Sequence, residues 1–313
     1  MSLNLKLFIY ILKNLSLLLF VLINIILFFK LNKKIYPKDN ITLVTALFKL
    51  KTNRHKFNSY FNWIKNLLSI NSSIIIFTDN YIYKRIKGKR PKIYNNKTIW
   101  IKYDFSNLYS YKHFKKDFIK SYKIDRLKNK HNVQLFIVWA EKCFFLKKSI
   151  YRNFFGSKCF YWIDAGYFRD NNMSLFLNNW PSIKKCNEDP RVIINGIRIL
   201  HKNEINGLKS FDFNTHYKFM NNFNIGSALF GGKSNYLIKF IYLYYKTLKL
   251  FIKKEKFIGS EQNLFTFIAY LYPKIVNLIN SRKWYYFKEL FFNIFLSFIS
   301  SFILNDLTKL ISY

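Results

Sequence analysis

Short runs of β-branched and apolar residues alternate along this chain with segments of helical periodicity. ITLVTAL (Ile41–Leu47) predicts a buried strand, and Phe57–Leu68 predicts a helix because its apolar residues recur at intervals of three and four. SIIIFTDN then predicts a strand that ends at Asp79, TIWIK (Thr98–Lys102) a third strand, and FYWIDAG a further one. Strands separated by helices are typical of a mostly parallel sheet flanked by helices, so we predict the α/β class.

The second half of this body adds a different strand signal and further helices. RVIINGIRIL holds Asn195-Gly196 between β-branched runs, a pattern typical of a type I′ hairpin turn. Helices are predicted over Val133–Tyr151 and Tyr236–Ile252, and another begins after Ser260, a good N-cap residue.

Residues 1–36 predict a membrane anchor. From Leu15 to Phe29 the chain is almost wholly apolar, and counting back over Leu7–Leu12 gives roughly the 20 residues that a spanning helix needs. No small-x-small site follows Phe29, which favours an anchor over a cleaved signal peptide. The basic flank KLNKKIYPK favours a cytoplasmic body by the positive-inside rule, but the abundance of lysine elsewhere leaves the side of the membrane open.

Residues 284–313 form an aromatic tail. The apolar run Trp284–Leu304 is interrupted by Lys288 and Glu289, which leaves it short for a membrane span. Its composition suits an amphipathic helix in the membrane interface, or equally a helix packed on the domain. The globular domain is therefore expected to cover residues 37–283.

Basic residues outnumber acidic ones 52 to 16, for a formal net charge of +36. This favours an anionic partner such as nucleic acid, lipid headgroups or a phosphorylated substrate. The lysines are spread along the chain, however, and Asn, Ile, Phe and Tyr are abundant too, which is typical of compositional drift. Because no RRM, zinc-finger or helix-turn-helix signature is present, we rank nucleic-acid binding last among the candidate functions.

The cysteines and histidines suggest neither a disulfide framework nor a metal site. Cys143, Cys159 and Cys186 are odd in number and contain no C-x-x-C pair, so neither disulfides nor zinc binding are expected. The five histidines lack ligand spacing, which gives no support to a Ser-His-Asp or His-metal mechanism.

Small or acidic residues stand at the ends of three predicted strands. They are Thr45-Ala46 at the first strand, Asp79 at the second, and Asp164-Ala165-Gly166 at the third. Ligands of doubly wound sheets bind beyond the carboxyl ends of strands, so these positions would converge on one crevice if their strands are neighbours. A carboxylate there can hold ribose hydroxyls or a cation that bridges a diphosphate. Taken alone, each aspartate is more commonly an Asx-turn residue.

The segment NIGSALFGGKSN predicts a short strand with small residues at both ends. Gly231-Gly232 precede a helix that begins at Ser234, an arrangement that suggests a backbone passing close to a ligand. Neither a P-loop nor a G-x-G-x-x-G motif is present. Arg169 could pair with a phosphate through its planar guanidinium.

Five segments of the chain carry a family resemblance: ITLVTALFKL, YFNWIKNLLSINSSIIIFTDN, FYWIDAGYFRD, ALFGG and GSEQNLF. In order and approximate spacing, from Ile41 to Tyr272, they resemble the bacterial HtrL/YibB-like family. That family includes proteins linked to surface polysaccharide loci and looks like glycosyltransferases of the GT-A class. The resemblance implies a GT-A-like sheet and transfer of a sugar from a nucleotide-diphosphate sugar to a glycan or lipid-linked acceptor.

The same resemblance implies site residues. IDAG stands where GT-A enzymes have the Asp-x-Asp motif, so Asp164 would be a catalytic residue and the ligand of Mn²⁺ or Mg²⁺. Gly166 stands in place of the second acid, which leaves metal dependence open, and Asp170 is a candidate for the missing carboxylate.

Two later segments complete the implied site. ALFGG resembles the strand and turn that cradle the sugar or acceptor, which implies substrate contacts at Gly231 and Gly232. SEQ stands where the family tends to have an Asp-Gln pair, which implies roles for Glu261 and Gln262.

The implied reaction needs charge stabilisation and a base. The diphosphate leaving group gains negative charge as its bond to the sugar breaks, and a metal ion or the basic groups of Arg85, Lys142 and Arg169 could stabilise it. Glu261 and Asp170 are candidate bases for the acceptor hydroxyl of an inverting reaction, and a retaining one stays open. The alternative function is a non-catalytic basic membrane protein on a degenerate transferase fold, because the acidic motif is incomplete.

Overall fold

The computed structural model describes residues 36–50, 55, 57–169, 180–181, 183–210 and 224–280, together with Leu19. The chain divides between Pro37 and Lys38, and the strands and helices of the sheet belong to the second unit. Among the described residues, no helix combines the length and the apolar character that crossing a bilayer requires. The predicted membrane span, apart from Leu19, and the predicted tail at 284–313 lie outside the described residues.

Seven strands of the described residues form one sheet. In chain order they are β1 (Ile41–Leu47), β2 (Ser73–Thr78), β3 (Thr98–Lys102), β4 (Cys159–Ile163), β5 (Val192–Gly196), β6 (Ile225–Lys233) and β7 (Val276–Asn280). Their order across the sheet is β3-β2-β1-β4-β6-β5-β7. Only β6 runs antiparallel to its two neighbours, so the predicted mostly parallel α/β sheet is confirmed.

Eight α-helices of the described residues connect these strands. They are α1 (Phe57–Leu68), α2 (Asn80–Ile86), α3 (Tyr109–Lys123), α4 (Val133–Arg152), α5 (Ile183–Glu188), α6 (Lys202–Lys209), α7 (Ser234–Lys253) and α8 (Glu261–Leu271). The helices predicted from periodicity coincide with α1, α4 and α7, and α8 begins directly after Ser260, as predicted.

Helices cover both faces of the sheet. On one face Leu43 of β1 belongs to a buried cluster with Ile64 of α1 and Ile82 of α2. On the other face the ring of Phe145, on α4, stacks on Phe77 of β2 with centroids 4.2 Å apart. Burial on both sides explains why β1 and β2 read as continuous apolar runs in the sequence.

The order of the strands places a crevice between β1 and β4. From β1 the chain builds β2 and β3 on one side and then adds β4 on the other, which makes this the switch point where open α/β sheets bind ligands. Because β6 is antiparallel, its first residues reach the carboxyl end of β4, where the Asp164 amide donates to the Ala228 carbonyl oxygen at 2.8 Å.

The predicted hairpin at Asn195-Gly196 is wrong. Both residues lie inside β5, opposite Gly226 and Ile225 of β6, with an irregular register between Ile194 and Asn195. Parallel pairing with β7 on the other edge holds the same residues in the sheet. Local turn preference is overridden here because strands pair with β5 on both sides.

The expectation that the cysteines form no disulfide is also wrong. Cys159, the first residue of β4, is bonded to Cys186 on α5, with their Cα atoms 6.7 Å apart. The two are 27 residues apart, so only tertiary packing brings them together, and no short spacing motif announces the pair. Cys143 is a free, buried thiol.

Candidate active site

A cavity of about 170 Å³ opens at the carboxyl ends of β1 and β4. One liquid water takes up only about 30 Å³, so the cavity has room for part of an organic ligand. The residues that follow the two strands, the start of β6 and the first turn of α8 line it, among them Phe48, Asp164, Ser227 and Gln262. One face of α4 completes the lining, because Leu135, Val138, Trp139 and Lys142 recur there at helical spacing.

Lys142 is the centre of a buried ionic cluster at the base of this cleft. Its side chain is 2% exposed, and its Nζ lies 2.9 Å from Asp164 Oδ1 and 2.7 Å from Glu261 Oε1. Nζ also donates to the Ser227 carbonyl oxygen at 3.3 Å. An ammonium has three N–H donors, so these acceptors use all of them. We call Lys142, Asp164 and Glu261 the ionic cluster.

The two carboxylates keep the lysine charged. Burial by itself lowers the pKa of Lys142, since desolvation disfavours an ammonium, but the charges of Asp164 and Glu261 outweigh burial and raise the pKa overall. With one ammonium against two carboxylates, the cluster carries a formal charge of −1. Buried ion pairs are poor stabilisers compared with apolar packing, so a cluster of this kind in a cleft favours a functional role.

Asp164 is the accessible member of the ionic cluster. Its side chain is 36% exposed, against 3% for Glu261. The indole Nε1 of Trp162 donates to the same oxygen, Oδ1, at 2.7 Å, and the Lys142 ammonium lies 5.7 Å from the centroid of the Trp162 ring. Trp162 and Asp164 are two residues apart on an extended segment and therefore share a face. This spacing in the sequence could have revealed Trp162 as a partner of Asp164.

Glu261 is held from a second direction. The Ser227 hydroxyl, at the start of β6, donates to Glu261 Oε1 at 2.8 Å. Glu261 stands in the first turn of α8, as its position after Ser260 predicts, but it faces the ionic cluster rather than solvent. Ser227 itself carries no motif in the sequence, and only the antiparallel course of β6 brings it to the cleft.

An aromatic wall stands beside Gly166. A Cβ atom at this position would lie 3.0 Å from Trp63 Cε3 and 3.4 Å from Tyr60 Cε1, so any side chain here would press on the rings of α1. The guanidinium of Arg169 lies over the Trp63 ring at 4.6 Å, and its Nε donates to the Gly166 carbonyl oxygen at 3.3 Å. Arg169 and Tyr60 both line the cleft, as does His55.

Several residues predicted for the site lie elsewhere. Asp79 is the N-cap of α2, where its Oδ1 accepts from the Ile82 amide at 2.8 Å and its Oδ2 from the Lys49 amide at 2.9 Å. Arg85 stacks on Tyr81, 4.2 Å from the ring centroid. The described lining of the cleft includes neither Asp79 nor Arg85. Asp79 thus has the capping role that strand-end aspartates commonly have.

Thr45 and Ala46, neighbours near the end of β1, differ in their access to the cleft. Ala46 lines the cleft. Thr45 is fully buried, and its hydroxyl has no hydrogen-bond partner among the described residues. The predicted catalytic residue Asp170 lies outside the described residues.

Gly231 and Gly232 are explained by strand packing. They lie within β6, opposite Tyr161 and Phe160 of β4. A Cβ atom on Gly231 would collide with the Phe160 carbonyl oxygen, and one on Gly232 with that of Arg191. Neither glycine belongs to the described lining of the cleft, so the close approach is to neighbouring strands.

Comparison with known proteins gives a family without an activity. A family model described as "Bacterial protein of unknown function (HtrL_YibB)" matches residues 39–295. No curated protein matches the chain. In the described part of the chain, no three His, Cys, Asp or Glu side chains are grouped so that they could hold a metal ion.

Proposed function

We propose that this chain, which belongs to the HtrL_YibB family of bacterial proteins of unknown function, is a glycosyltransferase that uses a nucleotide-diphosphate sugar. The acceptor in this proposal is a glycan or a lipid-linked sugar. The observation that carries the proposal is the ionic cluster of Lys142, Asp164 and Glu261 at the switch point of the sheet.

The arrangement of the sheet supports a nucleotide ligand. The parallel order β3-β2-β1-β4 is that of the mononucleotide-binding half of a doubly wound sheet, whose ligand lies beyond the carboxyl ends of the strands at the switch point. The cleft opens at this place. We interpret the fold as GT-A-like on this basis.

The lining of the cleft supports a sugar as the group transferred. Trp139, Trp162 and Tyr60 provide aromatic surface, while Asp164 and Gln262 supply polar groups. Few polar groups among apolar and aromatic walls are typical of small-molecule sites. A carboxylate can only accept hydrogen bonds, which suits the hydroxyl groups of a sugar or a ribose.

The proposed chemistry divides among three residues. Arg169, at the aromatic wall, stabilises the charge that develops on the diphosphate as the bond to the sugar breaks. Asp164 orients a hydroxyl of the donor. Glu261 is buried and bonded to Lys142 and Ser227, which suits a positioning role better than that of a base in contact with an acceptor.

Membrane attachment is a further part of the proposal. The apolar run Leu15–Phe29 has the composition of a membrane anchor and is followed by basic residues suited to lipid headgroups. An anchored domain would meet a lipid-linked acceptor at the membrane surface.

Donor binding by the full-length chain in detergent tests the proposal. Titration calorimetry against UDP-, GDP-, dTDP- and CMP-sugars should reveal at least one nucleotide-diphosphate sugar that binds. Asp164→Asn should weaken its binding by about tenfold or more, since a bonded carboxylate contributes about 1.5–3 kcal/mol.

The matched control is Asp79→Asn, which alters a helix cap outside the described lining of the cleft and should leave donor affinity unchanged. If folded wild-type protein binds no nucleotide sugar, the proposal fails and the non-catalytic alternative gains support.

A further inference from the structure

We propose that the ammonium group of Lys142 is the resident cation of this cleft, in the position where a GT-A-class enzyme would hold a divalent metal ion, so that ligand binding needs no divalent ion. The identity of the ligand, a nucleotide-diphosphate sugar, rests on the proposed function. The part that concerns the metal can be tested without any donor.

The ammonium already stands where the two carboxylates meet. Asp164 Oδ1 and Glu261 Oε1 converge on one point, and Lys142 Nζ lies there, 2.9 and 2.7 Å away. A magnesium-type ion needs carboxylate oxygens about 2.0–2.1 Å away at the same kind of meeting point. A divalent ion bound between these two oxygens would have to displace the ammonium, because Nζ already occupies that point.

The two convergent carboxylate oxygens are already occupied by hydrogen-bond donors. Asp164 Oδ1 accepts from the indole of Trp162 as well as from Lys142. Glu261 Oε1 accepts from the Ser227 hydroxyl as well as from Lys142. Each of these two oxygens therefore already has two donors, so a metal ion bound between them would have to displace hydrogen bonds.

Gly166 stands where the Asp-x-Asp pattern has its second acid. The rings of Trp63 and Tyr60 pack against this position, and even a Cβ atom would lie 3.0 Å from Trp63. An aspartate at position 166 would press on the rings of Trp63 and Tyr60, which would have to shift to make room for it. The residues present therefore do not fit the metal ion that the GT-A class implies, and a lysine on α4 takes its role of binding the carboxylates together.

The arrangement also defines what the ligand meets at Asp164. Among the described residues none bonds Asp164 Oδ2, and the side chain is 36% exposed at the cleft. With the ammonium fully engaged and the ionic cluster at −1, this point attracts a hydrogen-bond donor and repels a phosphate. We therefore assign a hydroxyl of the sugar or the ribose to Asp164, and the diphosphate to Arg169.

Manganese binding to the full-length chain, measured by electron paramagnetic resonance, tests the inference. Wild type and Asp164→Asn should give the same binding curve, with no site that depends on Asp164. Lys142→Met, in protein whose circular dichroism shows it folded, should gain a manganese site with at least tenfold higher affinity than wild type. Donor binding by wild type should be unchanged by a chelator.

Each outcome decides the inference. A manganese site in wild type that is lost in Asp164→Asn would overturn it, as would a folded Lys142→Met that gains no manganese. If Lys142→Met does not fold, the comparison of wild type with Asp164→Asn still decides. Donor binding that requires manganese would refute the inference but keep the proposed function. If no donor binds while manganese behaves as expected, only the proposed function is refuted.

Discussion

At the scale of single residues, Lys142 shows how burial and pairing together determine the state of a charge. The side chain is almost fully removed from water, yet two carboxylates lie within hydrogen-bond distance of Nζ. Replacing Lys142 by a neutral residue leaves two carboxylates without a cation, whereas neutralising one carboxylate leaves a balanced pair, so the cluster is most sensitive to loss of the ammonium.

Lys142→Met should lower the free energy of unfolding by about 3 kcal/mol, because the two carboxylates then face each other without a cation. Urea denaturation at pH 7 measures this. Lys147→Met is the matched control, since Lys147 is exposed on the same helix, and its effect should stay within about 0.5 kcal/mol. Equal effects of the two variants would contradict a buried ionic cluster.

The same pair of proteins gives a pH dependence. Burial lowers the pKa of Lys142 in the folded state, but the charges of Asp164 and Glu261 outweigh burial, so the pKa is raised overall. Stabilisation by the ammonium is therefore fully present below the unfolded pKa of about 10.4 and is lost as the pH rises through the higher folded value. The difference in stability between wild type and Lys142→Met should be constant from pH 7 to 9 and shrink above about pH 10.5. A stability difference that already shrinks near pH 8 would contradict a raised pKa of Lys142.

Gly166 gives a second prediction at the residue scale. In Gly166→Ala the new methyl group would press on Trp63, so we expect a loss of about 1–3 kcal/mol in stability and weaker donor binding. Gly88→Ala is the control, because nothing lies within 4 Å of a Cβ atom there. Thermal unfolding of both variants measures the contrast, and a neutral Gly166→Ala would show that the aromatic wall yields easily.

At the scale of elements, the antiparallel strand β6 builds much of the site. Its first residues bring Ser227 and Ala228 to the carboxyl end of β4, and its later glycines allow β4 and β5 to approach on either side. One strand thus has a site-forming end and a packing end, although both ends look alike in the sequence.

This division predicts different outcomes for substitutions along β6. Gly231→Ala should destabilise the protein by about 3 kcal/mol or more, because the methyl group would meet backbone atoms of β4 that cannot move without breaking the sheet. Ser227→Ala should cost less stability, about 1–2 kcal/mol, because Glu261 Oε1 keeps its bond to Lys142, and it should reduce donor affinity by loosening Glu261. Urea denaturation and calorimetry on both variants separate the two effects, and a stable Gly231→Ala with impaired binding would instead favour a ligand-binding glycine.

At the scale of the whole molecule, the disulfide ties the start of β4 to a helix that precedes β5. Closing a loop of this length stabilises a fold by about 3–4 kcal/mol in the chain-entropy account. Disulfides persist in oxidising compartments, so this bond predicts an oxidising compartment for the domain. The lysines after the predicted anchor instead predict a cytoplasmic domain, but they belong to an excess spread over the entire chain.

Reduction should therefore lower the melting temperature of wild type by several degrees, whereas the double variant Cys159→Ala/Cys186→Ala should start lower and not respond to reductant. In bacterial cells, both cysteines should resist alkylation until the protein is denatured and reduced. Ready alkylation of denatured but unreduced protein would show that the domain occupies a reducing compartment.

Much of the fold follows from local patterns in the sequence. Continuous apolar runs predicted β1 and β2, and recurring apolar positions predicted α1, α4 and α7, because a segment buried in a layered sheet must carry that pattern wherever it lies. Asn195-Gly196 shows the limit of this reasoning, since its turn preference yields to pairing with two strands.

The site was predictable only in part. Asp164 follows from its place at a strand end, and Arg169 and Gln262 line the same cleft. Asp79 has the same local context as Asp164 but caps a helix, because its strand lies on the far side of β1 from the switch point.

By itself, then, the sequence determined the α/β class, most of the elements and one carboxylate of the site, because each depends on neighbours a few residues apart. The tertiary structure alone decided the strand order, the disulfide and the meeting of Lys142, Asp164 and Glu261. These depend on segments that are distant in the chain, and charges 2.7 to 2.9 Å apart can be arranged only after the sheet has brought α4, β4 and α8 together.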